Sequence, residues 1–479
     1  MTLWEQDEAA YSGFAQTMNR TGDYLIPNFI WSDQHRKTPL HFWTIALSYK
    51  IFGENDFATR LPTNLALISL VFIIHFLAKR LLNKDIAIIS SIVFMTGLFP
   101  IIYGKIAFTD GLLLLFEGAS VLLYILWVTE KKWVWIVLSN ISISLALLTK
   151  GPPIVIMMGS LIGMQIIFFK DRIFTLKSIF YLTPSLIPIL IWLYKIHLIG
   201  RDDFLTWLLD WYVLKRTSGT VFGQTGPIGY FSILFLASFF IFSPFLLDSI
   251  LLWWNRLKQK EPITLLFLFA LPGSWFLYEL LPSKLPSYSL AAYPILSIGL
   301  GRYLYESNKK NWVLPVLILI AISIGYFLPK NLPNEMIANG LQWSLILIFI
   351  TIILVLFIPN SLHYVYSGLG LIIIFILSLN IFFLEKDRHF TNVIAEKFAN
   401  HQQFEPKIYF TKNFEIPGIV VYLQRKNIDY QLDTTVQNKR IYLADDENIS
   451  KYSEMQKIDS IKGWISDRGK NATFYFLMK

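Results

Sequence analysis

Acids and bases gather at the start of the chain in a pattern that could hold an anion and act beside it. Asp7 and Glu8 stand side by side; Arg36 and Lys37 come later, just ahead of Thr38-Pro39, and Arg60 closes the stretch before Leu61-Pro62. Further candidates follow in short polar stretches: Lys105 and Asp110 (in Phe108-Thr109-Asp110-Gly111), Lys150 in Lys150-Gly151-Pro152-Pro153, and Lys284 with Tyr288. The stretch 200–228 adds Arg201, Asp202, Asp203, Asp210, Lys215, Arg216 and Gln224. Cations in this number can hold a phosphate, and a carboxylate can take the proton of an attacking hydroxyl. Snorkelling at a membrane surface explains Arg60 and Lys105 as well as ligand binding does. It leaves Asp7 and Asp110 without a reason, since an acid gains nothing from lipid; a solvated loop is their plain alternative.

The elements that must position these groups are apolar. Hydrophobic residues make up 54% of the chain and charged residues 16%, with 39 Phe and 15 Trp, and the mean hydropathy is +0.50. A soluble domain carries about 25% charged residues, so the composition is that of a polytopic membrane protein. No cysteine is present, which excludes disulfides, a thiol nucleophile and a thiolate metal site. The net charge of +9 comes from bases in short clusters between apolar runs, which is a topology signal and not a nucleic-acid surface.

A spanning helix needs about 20 mostly apolar residues. About twelve segments qualify by that measure: 61–82, 85–104, 108–128, 133–149, 152–169, 179–199, 229–253, 262–281, 287–305, 311–328, 341–359 and 363–384. Segment 40–52 is too short to span and amphipathic enough to lie at the interface. Lys79, Arg80 and Lys84 follow the first span, Lys131 and Lys132 the third, and Lys170, Arg172 and Lys177 the fifth. Arg256, Lys258 and Lys260 follow the seventh, and Arg302, Lys309 and Lys310 the ninth. Every second loop is basic and therefore cytoplasmic. Residues 1–60, the loops that carry the candidate residues and everything after 385 then face the other side. No helix precedes residues 1–60 to carry them across; either this short stretch translocates unaided or, as the favoured reading, a further, thirteenth span belongs upstream.

The division expected is an extracytoplasmic loop region with interfacial helices at 1–60, a membrane domain at 61–385 and a soluble domain at 386–479. The last is polar, with β-type runs at Ile408-Tyr409-Phe410, Ile419-Val420-Val421-Tyr422-Leu423, Ile441-Tyr442-Leu443 and Thr473-Phe474-Tyr475-Phe476-Leu477. It reads as a small extracytoplasmic α/β domain that docks or stabilises, with acceptor binding as the alternative. Glu117, inside a span, reads as a protonated bridge between helices, and His75, Lys195, Asp248 and Glu279 as packing or snorkelling groups.

The ordered set Asp7-Glu8, Gly22-Asp23-Tyr24, Pro27, Lys37-Thr38-Pro39-Leu40, Trp43, Phe52-Gly53 and Arg60-Leu61-Pro62 resembles the lipid-linked-sugar glycosyltransferases of the GT-C fold. These include the aminoarabinose lipid A transferases and the protein O-mannosyltransferases. Asp110-Gly111, Lys150-Gly151-Pro152 and Lys284 through Tyr288 to Pro294 fall in the order this family shows. The resemblance implies that Asp7 is the catalytic carboxylate, with Glu8 beside it and Asp110 as its partner from the second loop. It implies that Lys37 holds a polyprenyl phosphate, with Lys284 and Tyr288 near the same lipid pocket; Arg36, Arg60 and Arg216 are further candidate substrate-binding cations beside it. Departures exist. Ala10 stands where aminoarabinose transferases carry Arg, Arg36 stands where they carry an acid before the lysine, and Gln224 stands where a metal-binding His is expected. The expectation is that no metal or other cofactor is required.

By the resemblance the donor is a polyprenyl-phosphate-linked sugar, and the acceptor lipid A or a similar glycolipid, with a protein acceptor as the alternative. The implied location is the bacterial inner membrane, multi-pass, with the site facing the periplasm. A transporter or flippase of lipid-linked sugars is the rival reading. Such proteins concentrate polar groups at mid-membrane on paired repeats, whereas the acids and bases here lie in loops on one side and no repeat is visible.

Overall fold

A computed structural model of the chain describes residues 3, 7–30, 32–168, 172–215, 225–239, 242–259, 261–307, 390–401, 407–410, 416–432, 440–465 and 470–478. Two compact units result: residues 1–36, 42–62 and 379–479 form one, and residues 37–41 and 63–378 the other. The expected spans 311–328, 341–359 and 363–384 lie outside the described residues.

The larger unit is helical. Among the described residues three helices are long and apolar enough to cross a membrane: Asp56–Leu81, Thr109–Glu130 and Ile173–Leu198. The pair Lys84–Met95 and Leu98–Lys105, bent by 64°, makes a fourth if it is one span. The apolar run 85–104 is therefore broken where Thr96-Gly97 interrupts it, with Pro100 in the first turn of the second half, where its missing N–H costs nothing. Helices Trp133–Thr149 and Pro152–Phe168 fall where the apolar periods place them. Segment 229–253 is two helices, Tyr230–Ser238 and Ser243–Lys258. Segment 262–281 runs through a π turn at Pro272–Phe276, because a proline inside a helix cannot donate to the preceding turn.

Leu70, Ile74 and Leu77 pack with Leu114, Val121 and Ile125 in a single apolar core. Phe235 and Phe239 close on Tyr293 at 5.1 and 5.0 Å between ring centres. Large apolar side chains such as Phe72, Phe180 and Leu198 stand on outer faces, exposed by 69, 73 and 64%, as sides turned to lipid require.

The smaller unit joins the start of the chain to its end. It holds α1 (Asp7–Thr21), most of α2 (Leu40–Phe52), the first turns of α3 (Asp56–Leu81) and an α/β region. That region is a five-stranded sheet of β1 (Lys407–Phe410), β2 (Asp429–Leu432), β3 (Ile441–Asp445), β4 (Gln456–Ile465) and β5 (Lys470–Met478), in the order β2-β1-β3-β5-β4. Strands β2, β1 and β3 are parallel, and β5 runs antiparallel between β3 and β4. The run Ile419–Leu423 is not the expected strand: it is the middle of helix Pro417–Arg425, buried throughout from Pro417 to Leu423. Neighbouring parallel strands need a crossover, and a crossover helix buried on all sides reads in sequence like a buried strand.

Arg425, at the end of that helix, binds the N-terminal elements. Its guanidinium pairs with Asp56 at the head of α3. It also donates to Ser12 of α1 (3.3 Å), Tyr49 of α2 (3.4 Å) and Thr59 of α3 (3.2 Å). Tyr422 donates to Asp56 at 2.9 Å and accepts from the backbone N–H of Leu3 at 2.9 Å. Removing one member leaves the others partly buried without their counter-charge. Arg425→Ala is therefore expected to destabilise the protein by about 3 kcal/mol, read as a lower unfolding temperature in detergent.

Candidate active site

In the larger unit, three other stretches deliver side chains to Asp110. The residue opens helix Thr109–Glu130, where a carboxylate meets the positive end of the helix dipole. Gly111 makes that entry possible, since a Cβ there would lie 2.2 Å from the Tyr103 carbonyl oxygen. Lys150 ends helix Trp133–Thr149, followed by Gly151 at φ +77° and Pro152 at the start of the next helix. The turn thus uses a left-handed glycine after one helix and a proline to open the next. It aims the Lys150 ammonium at Asp110 Oδ1, 2.5 Å away, with both side chains almost wholly buried. Ser287 lies near the same carboxylate, and Lys37 is close enough for its charge to act on it.

Tyr288 lies under the Lys150 ammonium at 6.0 Å from its ring centre, and Tyr212 under Lys37 at 5.9 Å. Lys37, Asp110 and Tyr288 therefore share a neighbourhood. Lys284, the other lysine expected near the lipid, is 4% exposed and donates to the carbonyls of Tyr278 (3.3 Å) and Glu279 (2.6 Å). Its ammonium closes a helix end. Glu279 in turn accepts from the backbone N–H groups of Gly229 (3.0 Å) and Ser232 (3.1 Å), capping the helix Tyr230–Ser238.

His41, four residues after Lys37, is fully buried and lies with Nε2 2.9 Å from the Ala107 carbonyl. Burial pushes its pKa down from 6.5 to about 4, the Ala107 carbonyl opposing and the Lys37 charge assisting. The unfolded chain therefore binds a proton between about pH 6.5 and 4 that the folded chain refuses. Stability is expected to fall through that window as the pH is lowered, by about 3 kcal/mol in all. Thermal unfolding of His41→Gln against pH should show a flatter acid limb.

In the smaller unit the acidic pair divides. Successive residues on a helix point about 100° apart, so Asp7 and Glu8 leave α1 on different sides. Glu8 is completely buried and takes the Arg60 guanidinium in a two-pronged pair, Nε to Oε1 at 2.7 Å and Nη2 to Oε2 at 2.6 Å. Asp7 keeps a side chain 45% exposed and accepts from the Tyr11 hydroxyl at 3.0 Å. Its Oδ1 also lies 2.8 Å from His35 Nδ1. Arg36 pairs with Asp33 at 2.7 Å and donates to Asn28 at 3.1 Å.

Arg216 and Gln224 lie outside the described residues. Among the described residues no group of three or more His, Asp or Glu side chains is placed to hold a metal ion. The sequence marks Lys150 only as one candidate cation among several and gives no role to Ser287 or His35. The Lys150-Gly151-Pro152-Pro153 turn signals the first; nothing in the spacing signals the other two, because only the folded chain brings them to their carboxylates.

A family profile described as dolichyl-phosphate-mannose-protein mannosyltransferase matches residues 36–194. The chain resembles the GT-C lipid-linked-sugar glycosyltransferases. An uncharacterized protein of Aquifex aeolicus is 25% identical over 68% of this chain and 66% of its own length. The undecaprenyl phosphate-alpha-4-amino-4-deoxy-L-arabinose arabinosyl transferase of Wigglesworthia glossinidia brevipalpis is 26% identical over 64% of this chain and 56% of its own. The chain thus spans less than two thirds of that transferase. The fold is that of ArnT from Cupriavidus metallidurans, solved with undecaprenyl phosphate bound: the TM-score is 0.82 over 99% of this chain and 94% of that one, at 15% identity.

Proposed function

We propose that the protein transfers a sugar from a polyprenyl-phosphate donor to an acceptor outside the cytoplasm, lipid A or a similar glycolipid, as a multi-pass protein of the bacterial inner membrane. The observation that carries the reading is the set Lys37, Asp110, Lys150 and Tyr288, gathered from four stretches in a fold whose solved relative binds undecaprenyl phosphate. The relatives named as undecaprenyl phosphate-aminoarabinose transferases support the lipid-linked donor; the glycolipid acceptor follows from the order of motifs in residues 7–62.

In this reaction the bond from the sugar's anomeric carbon to the donor phosphate breaks, and a bond from that carbon to an acceptor oxygen forms. The leaving group is the polyprenyl phosphate, and Lys37 is assigned to its growing negative charge. Arg36 and Arg216 are assigned to the same anion, and Lys284 and Tyr288 to the walls of the lipid site. Lys150 and Asp110 neutralise each other, so that Asp110 orients cations beside the phosphate without adding an uncompensated negative charge. Asp7 takes the proton when the acceptor is a hydroxyl and orients the acceptor when it is an ionised phosphate. Glu8 and Arg60 brace α1 against α3 and so hold Asp7 in place. The expectation of no required metal stands as part of the proposal.

A protein acceptor is the second reading, favoured by the mannosyltransferase profile over residues 36–194. Mass spectrometry of lipid A from cells with and without the protein separates the two. A mass increment of one sugar that depends on the protein supports the glycolipid reading; unchanged lipid A beside a protein-dependent glycopeptide overturns it.

A further inference from the structure

Asp7 is half-exposed at the head of a helix, a place where a carboxylate ordinarily swings between rotamers. Among the described residues Tyr11 and His35 grip it. Tyr11, one helical turn on, is 2% exposed, packs 5.5 Å from the Phe42 ring and donates to Asp7 Oδ1 at 3.0 Å. His35 reaches the same oxygen from a separate segment, with Nδ1 at 2.8 Å and a side chain only 11% exposed.

The segment that carries His35 is itself fixed. It is a 3-10 turn, Asp33–His35, in which the His35 N–H donates to the Ser32 carbonyl at 2.9 Å and the Arg36 N–H to the Asp33 carbonyl at 3.2 Å. Arg36 ties the turn down from outside through Asp33 and Asn28. The imidazole is thus a built-in group with a defined bearing.

We infer that His35 is a positioning residue for Asp7: its Nδ1–H, together with the Tyr11 hydroxyl, holds one carboxylate oxygen and sets the plane in which Asp7 meets the acceptor. This rests on the reading of Asp7 as the group that acts on the acceptor. An aspartate held in this way is pre-set for its partner, where a loose one must be ordered in each turnover. The direction of the hydrogen bond also fixes the imidazole: the proton sits on Nδ1, because a carboxylate only accepts.

Three substitutions at one position test this. His35→Asn sets an amide N–H close to where Nδ1–H was, His35→Gln sets one where Nε2–H was, and His35→Leu keeps bulk without a donor. Steady-state transfer in nanodiscs, with polyprenyl-phosphate sugar as donor, is the measurement, with thermal unfolding recorded for each variant. The expected result is a fall in kcat on the order of 10- to 100-fold for Gln and Leu, donor KM within about two-fold of the wild type, and recovery of most of the loss in Asn. In an Asp7→Asn background the His35 changes should cost nothing further, since they act through a carboxylate no longer there. Equal activity in the Asn and Gln variants, or a near-normal kcat in Leu, overturns the inference while leaving the role of Asp7 intact. Near-normal transfer by Asp7→Asn alone removes the role of Asp7, and this inference with it.

Discussion

Asp7→Asn is expected to lower transfer to a hydroxyl acceptor by about 10²- to 10⁴-fold and to leave the affinity for polyprenyl phosphate unchanged. The substitution keeps the shape of the side chain and removes its capacity to take a proton. The proton moves only as the acceptor oxygen attacks, so the loss belongs in kcat and in kcat/KM equally, with no change in donor binding. With a phosphate acceptor, which carries no proton to remove near neutral pH, the loss should shrink to about ten-fold, roughly 1.4 kcal/mol. The size of the effect therefore reports the acceptor's chemistry. Near-normal transfer to a hydroxyl would remove Asp7 from the role of base.

Lys37→Ala should behave differently, and the difference is physical. An ammonium that meets the donor phosphate is felt before the transition state as well as within it. Turnover should drop by about 10²- to 10³-fold, and polyprenyl phosphate should bind more weakly in a direct titration. The Lys37 charge already acts on Asp110 and on His41, so its loss also alters the balance around the Asp110–Lys150 pair. Unchanged lipid affinity in this variant would move the phosphate site to Arg36, Arg216 or Lys284.

Much of the helical architecture was open to reading because charges and turn residues bracket the apolar runs. Lys131-Lys132 and Lys150-Gly151 enclose the helix Trp133–Thr149, and Pro39 and Gly53 enclose Leu40–Phe52. Periodicity says less where the backbone itself yields. The bend between Lys84–Met95 and Leu98–Lys105 and the π turn at Pro272–Phe276 are each caused by one or two residues inside a run that is apolar throughout. Composition also misleads at Ile419–Leu423, where a β-branched run forms a helix because parallel β1 and β2 need a crossover.

The candidate residues were legible singly and not in their pairings. Asp7, Lys37 and Asp110 stand out as candidates from the order of their motifs. That Glu8 belongs to Arg60, Asp110 to Lys150 and Asp7 to His35 depends on contacts across 52, 40 and 28 residues. No periodicity carries that information. The Arg425–Asp56 pair, across 369 residues, and the Leu3–Tyr422 hydrogen bond, across 419, carry this further.

The claim on which the rest depends is that a sugar leaves a polyprenyl phosphate and is bonded to an acceptor by this chain. The direct measurement is mass spectrometry of a nanodisc reaction containing the purified protein, lipid A and a panel of undecaprenyl-phosphate sugars, aminoarabinose among them. The predicted result is glycosylated acceptor and free undecaprenyl phosphate in equal amounts for at least one sugar, with both products falling in parallel in Asp7→Asn and Lys37→Ala. Intact donor recovered with every sugar, although the protein binds the lipid, would contradict it.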